Sequence, residues 1–91
     1  TVGNSVEGFM RAVAPELAPR RINVVSPGTI DTPMFPVQGE AREKFLANAT
    51  AGALLKRPGT ADEVAQGILF AIENDYVTGS VIDVDGGALL P

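Results

Sequence analysis

The stretch INVVSPGTIDT, residues 22–32, joins a short apolar run to a loop of proline, glycine and threonine. Residues 21–26 are β-branched and nearly all apolar, which is typical of a strand covered on both faces in a parallel sheet. Pro27 and Gly28 then interrupt the pattern. Ligands of open α/β sheets bind beyond the carboxyl ends of such strands. The stretch therefore predicts a parallel sheet with a binding loop at its edge.

An amphipathic helix is predicted before this strand, over residues 4–18. Asn4 followed by Glu7 is a plausible capping arrangement at its start. Pro15 removes one backbone hydrogen bond, so we expect a kink or a tightened last turn, with Pro19 closing the helix. The apolar stripe at helical spacing consists of Val6, Phe9, Met10, Val13 and Leu17.

Two further helical patterns follow the loop. Residues 40–55 are rich in alanine and are flanked by glycine, which predicts a short, mobile helix. A clearer pattern begins at Thr60, which forms a capping box with Glu63, and it stops at Asn74. The predicted buried face of this helix consists of Val64, Ile68, Leu69 and Ile72.

A second buried strand is predicted at residues 80–84, before a turn at residues 85–87. Helices that alternate with strands indicate an α/β domain with a parallel sheet. Two strands are too few for a sheet that is covered on both faces. We therefore expect residues 1–91 to be one partial domain, either the tail of a longer domain or a chain whose sheet a partner completes.

The composition excludes several classes of function. Apolar residues make up 45% of the chain and charged residues 20%, as in globular proteins. The net charge is −4 and the basic residues form no patch, so neither nucleic acid nor a membrane is an expected partner. The absence of cysteine and histidine excludes zinc sites and His- or Cys-based nucleophiles. With no apolar run of about 18 residues and no disulfide, we expect a cytoplasmic protein.

The order of three segments resembles the C-terminal part of the classical short-chain dehydrogenases/reductases. The segments are VEGFMRAVAPELAPRRINVVSPGTIDTPMF, RPGTADEVAQGILFAI and VTGSVIDVDGG, and they run from Val6 to Gly87. The resemblance implies a Rossmann-like doubly wound parallel sheet that binds NAD or NADP and passes a hydride between the nicotinamide and a carbonyl or alcohol. It also implies that residues 22–26 and 80–84 are the last two strands, and that residues 40–55 are a variable lid over a small-molecule substrate.

Pro27, Gly28, Ile30 and Thr32 match the family's nicotinamide loop. The resemblance implies that Ile30 meets the carboxamide through its backbone, and that the Thr32 hydroxyl binds the carboxamide or the pyrophosphate. Gly28 would let the chain come close to the ligand. The alternative is a Pro-Gly turn that only ends a strand. With the flanking matches, we expect a cofactor loop.

Other polar or large residues near this loop have competing structural explanations. Asp31 occupies a freely varying position of the pattern, so we expect a solvated loop residue and no catalytic acid. Met34 and Phe35 either touch the substrate or anchor the lid. The acids and glycines of residues 83–87 lack the remaining ligands of a calcium loop, so we expect a tight turn and no metal site.

Residues 1–91 contain neither the family's glycine-rich phosphate loop nor its catalytic Tyr-x-x-x-Lys. Counting back from Val6, the lysine would fall near Gly3 and the tyrosine just before Thr1. Tyr76 is followed by Ser80 where a lysine would be needed, and an unassisted tyrosine has a pKa of ~10. We therefore assign no catalytic residue within this stretch.

Three functions remain open on the sequence alone. The favoured one is the C-terminal portion of an NAD(P)-dependent oxidoreductase, inactive by itself. The second is an assembly module that dimerises through its last helix and strand and holds a nucleotide weakly. The third is a non-catalytic relative, suggested by Gly3. Because the first two leave strand edges and a helix stripe uncovered, we expect a homo-oligomer formed through residues 62–87.

Overall fold

The computed structural model describes residues 2–33 and 37–88, in which helices and short strands alternate. The helices are α1 (Val2–Leu17), α2 (Gly39–Ala49) and α3 (Ala61–Glu73). The strands are β1 (Val24–Pro27), β2 (Ile30–Asp31), β3 (Gly59–Thr60) and β4 (Val81–Val84). Met34 and Phe35 lie outside the described residues.

The main sheet pairs β1 with β4 in parallel. Val24 lies opposite Val81, and Pro27 lies opposite Val84. Because parallel strands point the same way, β1 and β4 end at one edge of the sheet, where β1 leads into residues 28–32 and β4 into residues 85–88. The predicted parallel α/β architecture is confirmed.

A second, shorter parallel pair joins β2 to β3, and the sequence did not predict it. Ile30 lies opposite Gly59 and Asp31 opposite Thr60. The Gly59 N–H also donates a hydrogen bond to the Thr29 carbonyl oxygen, at 2.9 Å. Each strand has two residues, too few for an alternating pattern to show. The pair fixes the loop after β1 to the start of α3.

Helix α1 begins before its predicted start. It already runs at Val2, so Asn4 lies inside the helix and the predicted N-cap is wrong. The Arg11 guanidinium binds the Glu7 carboxylate at 2.6 Å, one turn along the helix. The end at Leu17 is within one residue of the prediction.

The apolar stripe of α1 is covered only in part by the described residues. Met10 is 1% exposed, whereas Phe9 is 67% exposed and Val6 is 47% exposed. Pro15 lies inside the helix, in its last turn. The stripe predicted from spacing is therefore present as a helix face, but only its centre is buried against this part of the chain.

Helix α2 is shorter than predicted. It ends at Ala49, and residues 51–55 form turns instead of a further helical stretch. Thr50 closes the helix, because its hydroxyl donates to the Leu46 carbonyl oxygen at 2.8 Å and its N–H donates to the same oxygen at 3.1 Å. Both Leu46 and Thr50 are buried.

Helix α3 has the predicted ends. The Glu63 N–H donates to Thr60 Oγ1 at 3.1 Å, and the Thr60 N–H donates to Glu63 Oε1 at 2.9 Å. These reciprocal bonds confirm the capping box. At the other end, the Asn74 N–H donates to the Phe70 carbonyl oxygen at 3.1 Å.

The buried face predicted for α3 is wrong. Ala71 is buried, whereas Leu69 is 49% exposed and Ile72 is 59% exposed. A Cβ atom built on Gly67 would lie 2.8 Å from Val84 Cγ2, so the helix approaches the sheet too closely for a larger residue at this position. The small residues of α3 therefore face the sheet.

The core of the described residues is thin. Its buried apolar side chains are Met10, Leu46, Ala53 and Ala71. The radius of gyration is 15.2 Å, whereas a compact domain of this length has about 12 Å. Large apolar side chains are half exposed on every helix. Across residues 2–33 and 37–88, no helix combines the length and the apolar character needed to cross a membrane.

Candidate functional site at the carboxyl edge of the sheet

The four residues predicted to bind a cofactor lie in one short loop at the carboxyl edge of the β1–β4 pair. Pro27 is the last residue of β1, and the Gly28 N–H donates to the Val84 carbonyl oxygen at 3.0 Å. Ile30 lies in β2, and Thr32 follows that strand. The loop is therefore tied to β4 at its start and to β3 near its end.

Gly28 lies against the chain that leaves β4. A Cβ atom at this position would lie 2.9 Å from both the Cα and the Cβ of Asp85, and 3.2 Å from the Asp85 carbonyl oxygen. Cβ atoms essentially never approach this closely, so the close neighbour that requires glycine here is Asp85. From the sequence, the close approach expected at Gly28 was that of a ligand.

The turn after β4 is built as the sequence predicted. Gly86 and Gly87 have φ angles of 62° and 80°, in the left-handed region that favours glycine. The Gly87 N–H donates to Asp85 Oδ1 at 2.9 Å, and the Leu55 N–H donates to the Gly86 carbonyl oxygen at 2.8 Å. Among the described residues, no group of three or more acidic side chains could hold a metal ion.

Asp31 is exposed, as expected, but its side chain also has a partner. Its carboxylate forms an ion pair with Arg42 of α2, and the Asp31 side chain is 47% exposed. Arg42 also donates to the carbonyl oxygens of Thr32, at 2.8 Å, and Val37, at 3.2 Å. The sequence does not predict the contacts of Arg42, because no periodic pattern links a helix residue to a loop residue eleven positions earlier.

An ion pair also fixes the segment between α2 and α3. Arg57 Nη1 and Nη2 bind Glu63 Oε1 and Oε2, each at 2.9 Å. The hydrogen bond from Arg57, followed by the one from the Thr60 N–H, lowers the pKa of Glu63 to about 2. The same contact raises the pKa of Arg57. This bidentate ion pair stabilises the start of α3 at the carboxyl edge.

The opposite edge of the sheet is held by Arg21 and Asn23. Arg21 Nη1 donates to the Ala71 carbonyl oxygen at 2.6 Å, and Nη2 donates to the Ile72 carbonyl oxygen at 2.7 Å. Asn23 Nδ2 donates to the Val77 carbonyl oxygen at 3.0 Å. Helix α3 has no basic residue in its own last turn, so Arg21 supplies the cation that a helix C-terminus favours.

Two cavities lie near the sheet. One of about 370 Å³ lies between the segment after α2 and the turn after β4, and Leu54, Leu55 and Gly87 are among its lining residues. The other, of about 260 Å³, lies at the amino edge beside Arg21. Neither of these two cavities is lined by Pro27, Gly28, Ile30 or Thr32.

Tyr76 lies far from the candidate loop. It follows α3 at the amino edge of the sheet, where its side chain is 99% exposed, and its N–H donates to Asn74 Oδ1 at 3.1 Å. Tyr76 therefore lies at the edge of the sheet opposite to the candidate loop.

The parallel β1–β4 pair, the covering helix and the loop beyond the strand ends define part of a Rossmann-like α/β fold. Residues 3–88 match the family described as enoyl-(acyl carrier protein) reductase. The chain belongs to the short-chain dehydrogenase/reductase family, as its motifs predicted.

Curated relatives carry the same segment. The chain is 46% identical over 90 residues to the 3-oxoacyl-(acyl-carrier-protein) reductase FabG of Thermotoga maritima, covering 93% of this chain and 35% of the relative. It is 42% identical over 87 residues to carbonyl reductase family member 4 of Danio rerio, covering 93% and 34%. The chain therefore spans about a third of the length of the curated relatives that it matches.

Solved structures share the fold. A small-chain dehydrogenase in complex with NADPH superimposes with a TM-score of 0.83 at 38% identity. The superposition covers 97% of this chain and 41% of that chain. The Rossmann-like architecture is thus present in relatives of known structure.

Proposed function

We propose that this chain is the C-terminal part of an NAD(P)-dependent oxidoreductase, which transfers a hydride between the nicotinamide and a carbonyl or alcohol substrate. The observation that carries the proposal is the position of residues 28–32 beyond the ends of two parallel strands, in a chain of this family. A related solved structure that holds NADPH supports the choice of cofactor. Residues 1–91 then form one partial Rossmann-like domain.

In this proposal, the loop orients the cofactor and the chemistry needs further groups. The Ile30 backbone and the Thr32 hydroxyl bind the nicotinamide end, while Pro27 and Gly28 set the path of the loop. Residues 1–91 contain no Tyr-x-x-x-Lys, so we expect this stretch to be inactive as an isolated polypeptide. The cytoplasmic location expected from the sequence stays a prediction.

Titration of the intact protein with NADPH and NADH, followed by nucleotide fluorescence, tests this proposal. Thr32→Val removes the hydroxyl at nearly constant volume, and we expect affinity to fall by about tenfold. Thr29→Val is the matched control, since Thr29 lies in the same loop at a freely varying position and its carbonyl, which the substitution retains, bonds to Gly59. Equal losses in both variants, or no loss in Thr32→Val, would contradict the assignment.

A second proposal is homo-oligomerisation through residues 62–87, with a second copy of this chain as the partner. It is favoured by the outer face of α3, where Leu69, Phe70 and Ile72 are 49%, 50% and 59% exposed. A helix face this apolar is usually covered.

Light scattering on the 9.5 kDa chain tests the second proposal. We expect self-association that Ile72→Glu weakens. Phe9→Glu on α1 is the control, since Phe9 is also exposed but lies outside residues 62–87. A monodisperse monomer with a cooperative melt would show that no partner copy is needed.

A further inference from the structure

One basic side chain of α2 joins that helix to the candidate cofactor loop. The Arg42 side chain is only 15% exposed, although arginine usually lies at the surface. Its guanidinium pairs with the Asp31 carboxylate and donates to the carbonyl oxygens of Thr32 and Val37. A guanidinium presents several N–H donors in one rigid plane, so a single side chain can hold acceptors from different segments at fixed angles.

Thr32 is held on both sides. On the preceding side, Ile30 and Asp31 pair with Gly59 and Thr60. On the following side, the Thr32 carbonyl oxygen accepts a hydrogen bond of 2.8 Å from Arg42 Nη2. Because the backbone is fixed at both points, Arg42 helps to set the direction in which the Thr32 Cα–Cβ bond leaves the chain.

We propose that Arg42 is a positioning residue, which orients Thr32 for the cofactor and fixes the first part of α2 against β2. It acts through Asp31 and Thr32 without touching the cofactor. The consequence for binding rests on the proposed function of Thr32. Since the same contacts hold helix and loop, a ligand on Thr32 favours the ordered α2. Loss of Arg42 therefore weakens both the binding of that ligand and the order of α2.

Comparison with another ion pair of the chain shows why Arg42 is more than a surface contact. Arg11 and Glu7 lie one helical turn apart, and their side chains are 59% and 30% exposed. Such pairs contribute little to stability. Arg42 is less exposed and also binds the main-chain carbonyl groups of two residues, so its loss removes a donor from both of these acceptors.

The test compares Arg42→Gln and Arg42→Lys with the control Arg11→Gln in the intact protein. Hydrogen exchange followed by mass spectrometry reports on Gly39–Ala49, and titration with NADPH, followed by nucleotide fluorescence, reports on the site. In Arg42→Gln we expect exchange in α2 to be about tenfold faster and the Kd for NADPH to be about tenfold higher. Exchange in α3 should stay the same.

Arg42→Lys should give an intermediate result, because an ammonium group keeps its attraction to Asp31 but cannot span both carbonyl groups. This conservative variant also gives a result if Arg42→Gln does not fold. Unchanged α2 exchange in a folded Arg42 variant, or an equal rise of the Kd for NADPH in Arg11→Gln, would overturn the positioning role. If the unaltered protein binds no NADPH, the proposed function fails, while the exchange comparison still decides whether Arg42 fixes α2.

Discussion

The two ends of α3 are held by different kinds of contact. Its start, at the carboxyl edge, uses neighbours in sequence: Thr60 caps it, and Arg57 binds Glu63 six residues on. Its end, at the amino edge, uses Arg21, which lies fifty residues earlier and binds the Ala71 carbonyl oxygen. The start can therefore form locally, whereas the end is fixed only when β1 is in place. This difference predicts that substitutions at the end of α3 lower the free energy of unfolding of the whole domain more than substitutions at its start.

The largest expected effect is that of Arg21→Ala. It leaves the carbonyl oxygens of Ala71, Ile72 and Val77 without their charged donor. Because hydrogen bonds to charged groups are each stronger than neutral ones, we expect the free energy of unfolding to fall by about 3 kcal/mol. Chemical denaturation of the protein measures it. Arg20→Ala is the control, since Arg20 is exposed and adjacent; an equal loss there would remove the distinction between the two ends.

Both ends of α3 lie where the sequence predicts them, but the contacts that hold the two ends differ in how far the sequence predicts them. The capping box could be recognised because Thr60 and Glu63 stand in a known local pattern with a known spacing. The contact from Arg21 could not, because it depends on a strand and a helix meeting across fifty residues. The same reasoning covers Arg42 and the β2–β3 pair, both of which are set by tertiary structure.

The prediction of which residues form the buried face of α3 is wrong for a related reason. Periodicity shows that a helix has an apolar stripe, but it does not show how closely the helix approaches the sheet. Here the approach at Gly67 excludes a larger side chain, so small residues face the strands and Ile72 faces outward. The position of the candidate loop could be predicted, since a strand followed by Pro27 and Gly28 places the loop at the sheet edge. The close approach of Asp85 to Gly28 could not be predicted, because it depends on how two distant segments pack.

An intermediate effect is expected from Gly67→Ala, in the middle of α3. Alanine normally stabilises a helix interior, but its Cβ would lie 2.8 Å from Val84 Cγ2 and 3.7 Å from Val25 Cγ1. Forcing the helix from the sheet should destabilise the protein by about 1–2 kcal/mol. In Gly8→Ala on α1, where a Cβ meets nothing within 4 Å, we expect a gain of about 0.5–1 kcal/mol. Thermal melts would show opposite shifts, and shifts of the same sign would contradict the packing argument.

The smallest expected effect is a pH dependence at the start of α3. The bonds from Arg57 and the Thr60 N–H hold the folded-state pKa of Glu63 at about 2, below its ordinary value of 4.5. A depressed carboxyl pKa contributes stability that is fully present above the ordinary value and is lost as the pH falls from 4.5 towards about 2. Glu63→Gln should remove this contribution at neutral pH. The melting temperature of this variant should therefore change less between pH 4.5 and about 2 than that of the control Glu73→Gln. Since Arg57 and Glu63 are both well exposed, high salt should weaken this pH-dependent stabilisation. High salt should have less influence on the loss of stability in Arg21→Ala. An acid transition that Glu63→Gln leaves unchanged would show that the local contacts at this end do not govern its stability.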